Sequence, residues 1–171
     1  LSKVPILFDA DIEYGLNQRF PSGTDLPPLM AIAATSDTKN AYQVGKIIAK
    51  EARAVGVHWN LSPVVDVNNN PLNPIINTRS FGEDPKSVSE FGISLMKGLQ
   101  DHGMLATAKH FPGHGDTETD SHLTLPVVKF SKDRISDVEL YPYKEMIKKG
   151  LASVMVAHLN VPSIEPRKGY P

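Results

Sequence analysis

Two long segments of the chain carry apolar residues at every third or fourth position. In residues 37–55 these are Ala41, Val44, Ile48, Ala52 and Val55, and in residues 84–102 they are Val88, Phe91, Leu95 and Leu99. This period places the apolar side chains on one face of an α-helix. Asp84 followed by Pro85 is typical of a capped helix start with proline in the first turn. A third helix is predicted over residues 132–149, with a kink or break at Pro142 because proline cannot continue the hydrogen-bond ladder.

Each predicted helix ends near a glycine, and a short apolar run follows it. The glycines are Gly56, Gly103 and Gly150, which are evenly spaced along the chain. Glycine readily takes the left-handed conformation that ends a helix. The apolar runs cover residues 57–66, 104–110 and 151–158, and a similar run over residues 4–9 precedes the first helix. Short continuous apolar runs are typical of strands that are buried on both faces of a parallel sheet.

The alternation of strands and helices predicts a parallel sheet with right-handed helical crossovers. Two α/β architectures fit this order: a (β/α)8 TIM barrel and an open, doubly wound sheet. The sequence has no Gly-x-Gly-x-x-Gly motif and no Walker motif, which disfavours a nucleotide-binding, doubly wound fold. About four parallel strands and about three helices would make up a partial barrel, and both architectures stay open on the strand and helix pattern alone.

Composition narrows the range of partners. The chain has 171 residues, a formal net charge of −1 at pH 7 and no block of like charges, which gives no support for nucleic acid or an anionic membrane as partner. It has no cysteine, so disulfides and thiolate zinc sites are excluded. No apolar run reaches the ~18 residues that span a bilayer.

Because the chain starts at Leu1 and ends in a loop-like segment, we expect residues 1–171 to be part of a single larger domain, incomplete at both ends. Its compartment, cytoplasmic or exported, and its oligomeric state stay open.

Titratable residues stand near the end of every predicted strand. They are Asp9 and Asp11 at the first strand, Asp66 at the second, Lys109 and His110 at the third, and His158 at the fourth. In both architectures the functional site lies beyond the carboxyl ends of the strands. We therefore expect these side chains to face one common site.

Asp11, Arg19 and Arg79 are candidate ligands of a polar substrate. The two oxygens of Asp11 could accept hydrogen bonds from two hydroxyls of a substrate, and Arg19 could donate to a substrate oxygen or position that carboxylate. The alternative is a surface ion pair of little energetic value. Arg79 follows a long loop rich in Asn and Pro, and its planar fork of donors suits carboxylates or hydroxyls. Its alternative role is to tie this loop to the rim of the barrel.

Lys109 and His110 end a strand that is otherwise made of small apolar residues. A cation at such a position is costly to bury unless it is paired or solvated by a substrate. Both side chains could hydrogen-bond adjacent hydroxyls of one substrate. The alternative is a structural role, with one buried ion pair to Asp66 or Asp9.

Asp120 and His122 lie two residues apart in the loop that follows this strand. An aspartate that accepts a hydrogen bond from one imidazole nitrogen leaves the other free for proton transfer, and an imidazole can act as acid in one step and base in the next. Asp120 is expected to favour the protonated form of His122. The alternative is a solvent-exposed loop without chemistry, in which the two side chains point apart.

A metal centre is the competing interpretation of the same loop. It offers imidazole and carboxylate groups of the types that bind zinc, at His110, His114, Asp116, Asp120 and His122. However, Pro112 and Gly113 lie between His110 and His114 and break a helix. These two histidines therefore cannot share one helix face, as the paired histidines of zinc proteases do. We therefore expect no metal and no cofactor.

Four segments of the chain resemble, in the same order, the β-N-acetylglucosaminidases of glycoside hydrolase family 3. They are Asp11-x-Glu-x-Gly with Arg19 and Phe20, Asn-Thr-Arg79-Ser-Phe-Gly, Lys109-His110-Phe-Pro-Gly-His-Gly, and Asp120-Ser-His122 with Leu125-Pro126. The Lys-His-Phe element indicates family 3 in general. The Asp-Ser-His element narrows the resemblance to this branch, because family 3 β-glucosidases lack it. Tyr14 departs from the pattern, since many relatives carry glycine there.

The resemblance implies a (β/α)8 barrel and a retaining, double-displacement mechanism. His122 would be the acid/base and Asp120 its partner, while Asp11, Arg19, Arg79, Lys109 and His110 would bind the sugar next to the scissile bond. An imidazole in this role departs from the usual pair of carboxylates. Because a neutral base repels an incoming anion less than a carboxylate does, some phosphorolysis is conceivable.

The nucleophilic aspartate of the family lies in a later motif that this sequence does not contain. We therefore expect no turnover by residues 1–171 alone. The implied reaction removes terminal β-linked N-acetylglucosamine, or another N-acetylhexosamine, from peptidoglycan fragments or related glycans, so that carbohydrate is the expected partner. Two alternatives stay open: an exo-glycosidase of the family 3 β-glucosidase type, and a catalytically inactive sugar-binding barrel.

Overall fold

The structure is a computed structural model that describes residues 3–117 and 125–167. Within these ranges strands and helices alternate along the chain. The strands are β1 (Asp9–Ala10), β2 (Trp59–Asn60), β3 (Leu105–Phe111) and β4 (Ser153–Val156). The helices are α1 (Leu29–Ala33), α2 (Thr38–Ala54), α3 (Pro85–Gln100), α4 (Lys132–Asp137) and α5 (Tyr141–Lys148). Two short 3₁₀ turns, Leu16–Gln18 and Asn77–Arg79, lie in the connecting loops.

The four strands form one sheet in the order β1-β2-β3-β4, and all neighbouring pairs are parallel. Trp59 of β2 stands opposite Asp9 on one side and Leu105 on the other. Because all the strands run in the same direction, their carboxyl ends lie at the same edge of the sheet. The expected α/β fold with a parallel sheet is confirmed.

The helices begin and end close to where the sequence pattern places them. Asp37 caps α2 by accepting a hydrogen bond from Lys39 N at 2.9 Å, and Asp84 caps α3 by accepting one from Ser87 N at 2.7 Å. The third predicted helix is divided into α4 and α5, and Pro142 lies in the first turn of α5. A proline is tolerated there because the first amide groups of a helix have no intrahelical acceptor.

The three evenly spaced glycines have the left-handed conformation that the sequence predicts. Their φ angles are 88° at Gly56, 76° at Gly103 and 88° at Gly150. Open space surrounds the position of a Cβ atom at all three. These residues are therefore glycine because of their backbone conformation and not because of a close neighbour.

Two of the strands are much shorter than predicted. The run over residues 4–9 forms a strand only at its end, and the run over residues 57–66 forms one only over Trp59–Asn60. Beyond that point Val64 makes a single bridge to Lys109 of β3. Pro63 contributes to the difference in β2, because proline has no amide hydrogen to donate to a strand ladder.

Two glycines allow α2 and α3 to approach closely. A Cβ atom on Gly45 would lie 2.3 Å from Leu95 O, and one on Gly98 would lie 2.2 Å from Tyr42 O. Ile48 of α2 and Leu99 of α3 are completely buried in the resulting core. α3 also contacts β3 and α5, so this layer of helices supports the strand that ends in Lys109 and His110. None of the described helices is long and apolar enough to cross a membrane.

Candidate active site

A cavity of about 390 Å³ opens at the carboxyl ends of the strands. All five predicted substrate-binding residues line it, namely Asp11, Arg19, Arg79, Lys109 and His110, together with Glu13, Tyr14, Gln18, Ile75, His114 and the segment 155–158. The fold therefore brings together residues from four separate parts of the sequence. Asp120 and His122, the predicted acid/base pair, lie outside the described residues.

Lys109 is the buried cation at the centre of the cavity wall. Its side chain is only 2 % exposed, and Nζ lies 2.6 Å from Asp11 Oδ1 and 2.8 Å from Glu13 Oε1. The sequence-based alternative, a buried ion pair with Asp66 or Asp9, does not describe Lys109, which reaches the loop after β1. It does describe His110, whose Nδ1 lies 2.7 Å from Asp66 Oδ2. Two carboxylates thus compensate the cost of burying one ammonium group.

Glu13 joins Lys109 to Arg79. Arg79 donates from Nε to Glu13 Oε2 at 2.9 Å and from Nη2 to Glu13 Oε1 at 2.7 Å, a bidentate pair, and from Nη1 to Ile75 O at 3.0 Å. Burial alone would raise the pKa of Glu13, but hydrogen bonds and charges from Arg79 and Lys109 outweigh it and lower the pKa from 4.5 to about 2. The hydrogen bond with Glu13 in turn raises the pKa of Arg79.

Sequence reasoning assigned no role to Glu13, although it belongs to the Asp11-x-Glu element. In an extended segment, residues two apart point to the same side of the backbone. That spacing was the signal that could have placed both carboxylates in the same cavity.

Replacing Glu13 with glutamine is expected to change how stability depends on pH. Because the folded-state pKa of Glu13 lies below the unfolded value, its carboxylate stabilises the folded protein above about pH 4.5, and this contribution is lost as the pH falls toward about 2. The shift corresponds to about 3 kcal/mol in the free energy of unfolding. Urea unfolding at about pH 5 and about pH 2.5 should therefore show a smaller acid-induced loss in Glu13→Gln than in the unsubstituted protein.

Glu165→Gln is the matched control for this experiment. Glu165 also pairs with an arginine, Arg167, at 2.9 Å, but on the surface, where an ion pair contributes little. Between the two pH values, the free energy of unfolding of Glu165→Gln should fall by as much as that of the unsubstituted protein. An equally large fall in Glu13→Gln would contradict the assignment of the titration to Glu13.

His110 is held by a completely buried carboxylate, Asp66. The distance from His110 Nδ1 to Asp66 Oδ2 is 2.7 Å, and Asp66 also accepts from the backbone amides of His110 at 3.1 Å and His114 at 2.7 Å. Burial alone would raise the pKa of Asp66, but the charge and hydrogen bonds of His110 and the amide donors lower it. An ionised Asp66 fixes the proton on Nδ1, so Nε2 is the nitrogen that a substrate hydroxyl in the cavity can meet.

Asp11 and Arg19 form the exposed part of the site. The Asp11 side chain is 39 % exposed, and its Oδ2 lies 3.9 Å from Arg19 Nη2. Arg19 donates from Nε to the backbone oxygen of Asp11 at 2.9 Å. Arg19 therefore fixes the loop backbone, while the Asp11 carboxylate remains accessible from the cavity.

Asn73 fixes the turn that follows β3, and sequence reasoning missed it. Its Nδ2 donates to His114 O at 2.8 Å and to Thr117 O at 3.0 Å, and its side chain is buried. Asn73 stands in a loop rich in Asn and Pro, where nothing distinguishes it from its neighbours. Only the three-dimensional structure assigns it this function.

The site balances three cations against three carboxylates: Arg19, Arg79 and Lys109 against Asp11, Glu13 and Asp66. Paired charges of this kind offer many directional donors and acceptors without a strong net field, which suits a neutral, hydroxyl-rich ligand. Among residues 3–117 and 125–167, no group of three or more His, Asp or Glu could hold a metal ion. In this part of the chain the carboxylates of the cavity are engaged by lysine, arginine and histidine instead.

Comparison with known proteins links this geometry to one family. The family model described as the glycosyl hydrolase family 3 N terminal domain matches residues 1–171. The beta-N-acetylglucosaminidase/beta-glucosidase of Cellulomonas fimi is 39 % identical over 160 residues, which are 94 % of this chain and 28 % of that protein.

Solved structures give the same result. A glycoside hydrolase family 3 beta-N-acetylglucosaminidase from Paenibacillus sp. superimposes with a TM-score of 0.93 at 43 % identity, covering 98 % of this chain and 32 % of that one. NagZ from Neisseria gonorrhoeae, in complex with N-trifluoroacetyl-D-glucosamine, gives a TM-score of 0.86 at 36 % identity, covering 93 % and 49 %. This chain therefore spans less than half the length of each of these relatives.

Proposed function

The chain belongs to glycosyl hydrolase family 3, and from this premise we propose that it supplies part of the catalytic (β/α)8 domain of an exo-acting β-N-acetylhexosaminidase. The substrate is a glycan, such as a peptidoglycan fragment, with a terminal β-linked N-acetylglucosamine or a related N-acetylhexosamine. The main support for this proposal is that two ion-pair networks meet at the cavity through consecutive residues of β3. Lys109 connects Asp11 to Glu13 and Arg79, and His110, the next residue, is bound to Asp66.

The described residues would bind the sugar and hold it in one orientation. Asp11 would accept hydrogen bonds from ring hydroxyls, Lys109 would donate to them, and His110 Nε2 would meet a neighbouring hydroxyl. Arg79 and Arg19 would position these groups and donate to the sugar where it reaches them. Since every one of these side chains has a charged partner, the site is ordered before the ligand arrives, which reduces the entropic cost of binding.

Proton transfer is assigned to His122 with Asp120 as its partner, by the family resemblance of the Asp-Ser-His element. The imidazole would protonate the leaving group in the first step and activate water in the second. The nucleophilic aspartate would come from a part of the protein that this chain does not include. Residues 1–171 alone are therefore expected to bind a sugar weakly and to turn over no glycoside.

A β-glucosidase activity is the second candidate. The relative from Cellulomonas fimi carries both beta-N-acetylglucosaminidase and beta-glucosidase in its name. The Asp-Ser-His element favours the N-acetylglucosaminidase, because family 3 β-glucosidases lack it.

The two activities are separated by the sugar preference of the full-length protein. We expect kcat/KM for 4-nitrophenyl N-acetyl-β-D-glucosaminide to exceed that for 4-nitrophenyl β-D-glucoside by about 10-fold or more, because binding of the acetamido group adds to transition-state stabilisation. Both substrates have the same leaving group, so the ratio reports on the sugar alone. A higher value for the glucoside would support the second candidate. Binding of N-acetylglucosamine without cleavage of either substrate would indicate an inactive sugar-binding barrel.

A further inference from the structure

Arg134 and Glu139 form a polar cluster against the turn that leaves β3. Arg134 donates from Nη1 to Glu139 Oε1 at 2.6 Å, and its Nη2 lies 3.5 Å from Asp116 Oδ2. Its guanidinium carbon stands 4.8 Å from the centre of the Phe130 ring. The cluster thus joins helix α4 and the residues after it to the last part of the turn.

Glu139 touches the same turn directly. A Cβ atom on Gly113 would lie 2.7 Å from Glu139 Cβ and 2.8 Å from Glu139 Cγ. The aliphatic part of Glu139 therefore packs against the bare backbone of Gly113, which has a φ of 138°. A residue other than glycine could not occupy this position without displacing Glu139 or the turn.

A third contact ties the cluster to the loop that follows β2. With its amide oriented to satisfy both hydrogen bonds, Asn69 accepts from Arg134 Nη2 at 3.0 Å and donates to Glu83 O at 3.1 Å. Arg134 is therefore held between two loops that meet at the carboxyl edge of the sheet.

The cluster is poorly explained as a simple source of stability. Glu139 is only 3 % exposed, and its Oε2 is buried with no hydrogen-bond partner among the described residues. Burial raises the pKa of Glu139, which shows that its ionised form is costly there even beside Arg134. Buried ion pairs of this kind contribute little net stability, but they restrict the geometry of the groups around them.

The turn that the cluster holds also positions His110. Within it, the backbone amide of His114 donates to Asp66 Oδ1 at 2.7 Å, and Asp66 Oδ2 binds His110 Nδ1 at 2.7 Å. Gly113, which packs on Glu139, is the residue before His114. A shift of the turn would therefore move the carboxylate that orients His110.

We propose that Arg134 and Glu139 are positioning residues for sugar recognition, acting through the turn at residues 111–116 on Asp66 and His110. The inference rests on the proposed glycosidase function. Neither residue lines the cavity, so neither is expected to touch the substrate. The proposed route runs through His110, so the effect of substituting Arg134 should depend on whether His110 is present.

A double-mutant cycle in the full-length protein tests this route. Arg134→Met is expected to lower kcat/KM for the aryl N-acetylglucosaminide by about 10-fold in the unsubstituted background, but by less than about 2-fold when His110 is already alanine. Arg134→Lys should give a smaller loss than Arg134→Met, since lysine keeps the charge but not the planar fork. It also serves as the test variant if Arg134→Met does not fold. Arg53→Met, which removes an exposed arginine at the end of α2, is the control and should leave kcat/KM unchanged.

A loss that is equal in both backgrounds, or no loss in either, would overturn the inference. The ¹⁵N NMR signals of the His110 ring give a readout that does not need activity. They should shift in Arg134→Met and not in Arg53→Met. If the unsubstituted protein cleaves no glycoside, the proposed function fails, and the His110 signals alone then decide the inference: unchanged signals in Arg134→Met overturn it.

Discussion

Lys109→Met is expected to lower kcat/KM of the full-length protein for an aryl N-acetyl-β-glucosaminide by about a thousandfold. The substitution keeps the length of the side chain but removes the ammonium group that lies 2.6 Å from Asp11 and 2.8 Å from Glu13. It therefore removes the proposed hydrogen-bond donor to the sugar and leaves two carboxylates facing each other without their shared cation. A thousandfold loss corresponds to about 4 kcal/mol of transition-state stabilisation. Separately, the unpaired carboxylates should lower the free energy of unfolding by about 3–5 kcal/mol.

Lys148→Met is the matched control for this substitution. Lys148 also lies 2.6 Å from a carboxylate, that of Glu145, but its side chain is 66 % exposed and far from the cavity lining. We expect this control to keep full activity. Asp11→Asn should also lower kcat/KM. Its effect on folding stability should be smaller than that of Lys109→Met, because the Asp11 side chain is 39 % exposed. Full activity in a folded Lys109→Met variant would contradict the assignment of Lys109 to substrate binding.

His122→Ala should reduce kcat by about 10³-fold on a disaccharide or another substrate with a poor leaving group, since general acid catalysis contributes about 10²–10⁴-fold. The loss should be much smaller for a 2,4-dinitrophenyl glycoside, whose leaving group departs without a proton. Steady-state kinetics on both substrates measures the difference. A larger loss of kcat on the substrate with the poor leaving group is expected for a proton donor and not for a residue that only supports the fold.

His102→Ala is the control for the loss of an imidazole. His102 follows α3, and its Nδ1 lies 2.9 Å from Gly98 O, outside the cavity lining. His102→Ala should leave the ratio of the kcat values for the two substrates unchanged. Equal losses on both substrates in His122→Ala would show that His122 is not the general acid.

The helical layer could be predicted almost completely from the sequence. The three- and four-residue spacing of apolar positions, the Asp caps and the glycine stops are local signals, and each acts within one or two turns of the chain. They locate α2 and α3 to within two residues, and Pro142 locates the division between α4 and α5. Helix α1, with only five residues, is too short to show a period, and it was not predicted.

The strands were predicted in number and order, and β3 also in length, but β1 and β2 are much shorter than predicted. Apolar character identified each run, yet it does not show where a backbone stops donating hydrogen bonds. Pro63 interrupts the predicted second strand after Asn60, and beyond it the pairing with β3 is reduced to the bridge between Val64 and Lys109 and a few backbone hydrogen bonds around it. Proline within an apolar run was the available signal for this shorter pairing.

Five residues of the cavity were predicted, but Glu13 and the two ion pairs that Lys109 makes were not. The rule that functional groups lie at the carboxyl ends of parallel strands placed Asp11, Lys109 and His110 at one site. It could not show that Lys109 pairs with Asp11 and Glu13, because these residues are almost 100 positions apart and their contact depends on the order of the strands. The roles of Asp120 and His122 remain predictions, since both lie outside the described residues.

A crystal structure of the full-length protein with N-acetylglucosamine would show whether this cavity binds the sugar. We expect one pyranose ring in the cavity at the carboxyl ends of the strands, with its hydroxyls within hydrogen-bond distance of Asp11, Lys109 and His110. We also expect Lys109 to keep its contacts with Asp11 and Glu13 when the sugar binds. A sugar bound elsewhere, with this cavity empty, would contradict the claim that these residues form the sugar-binding site.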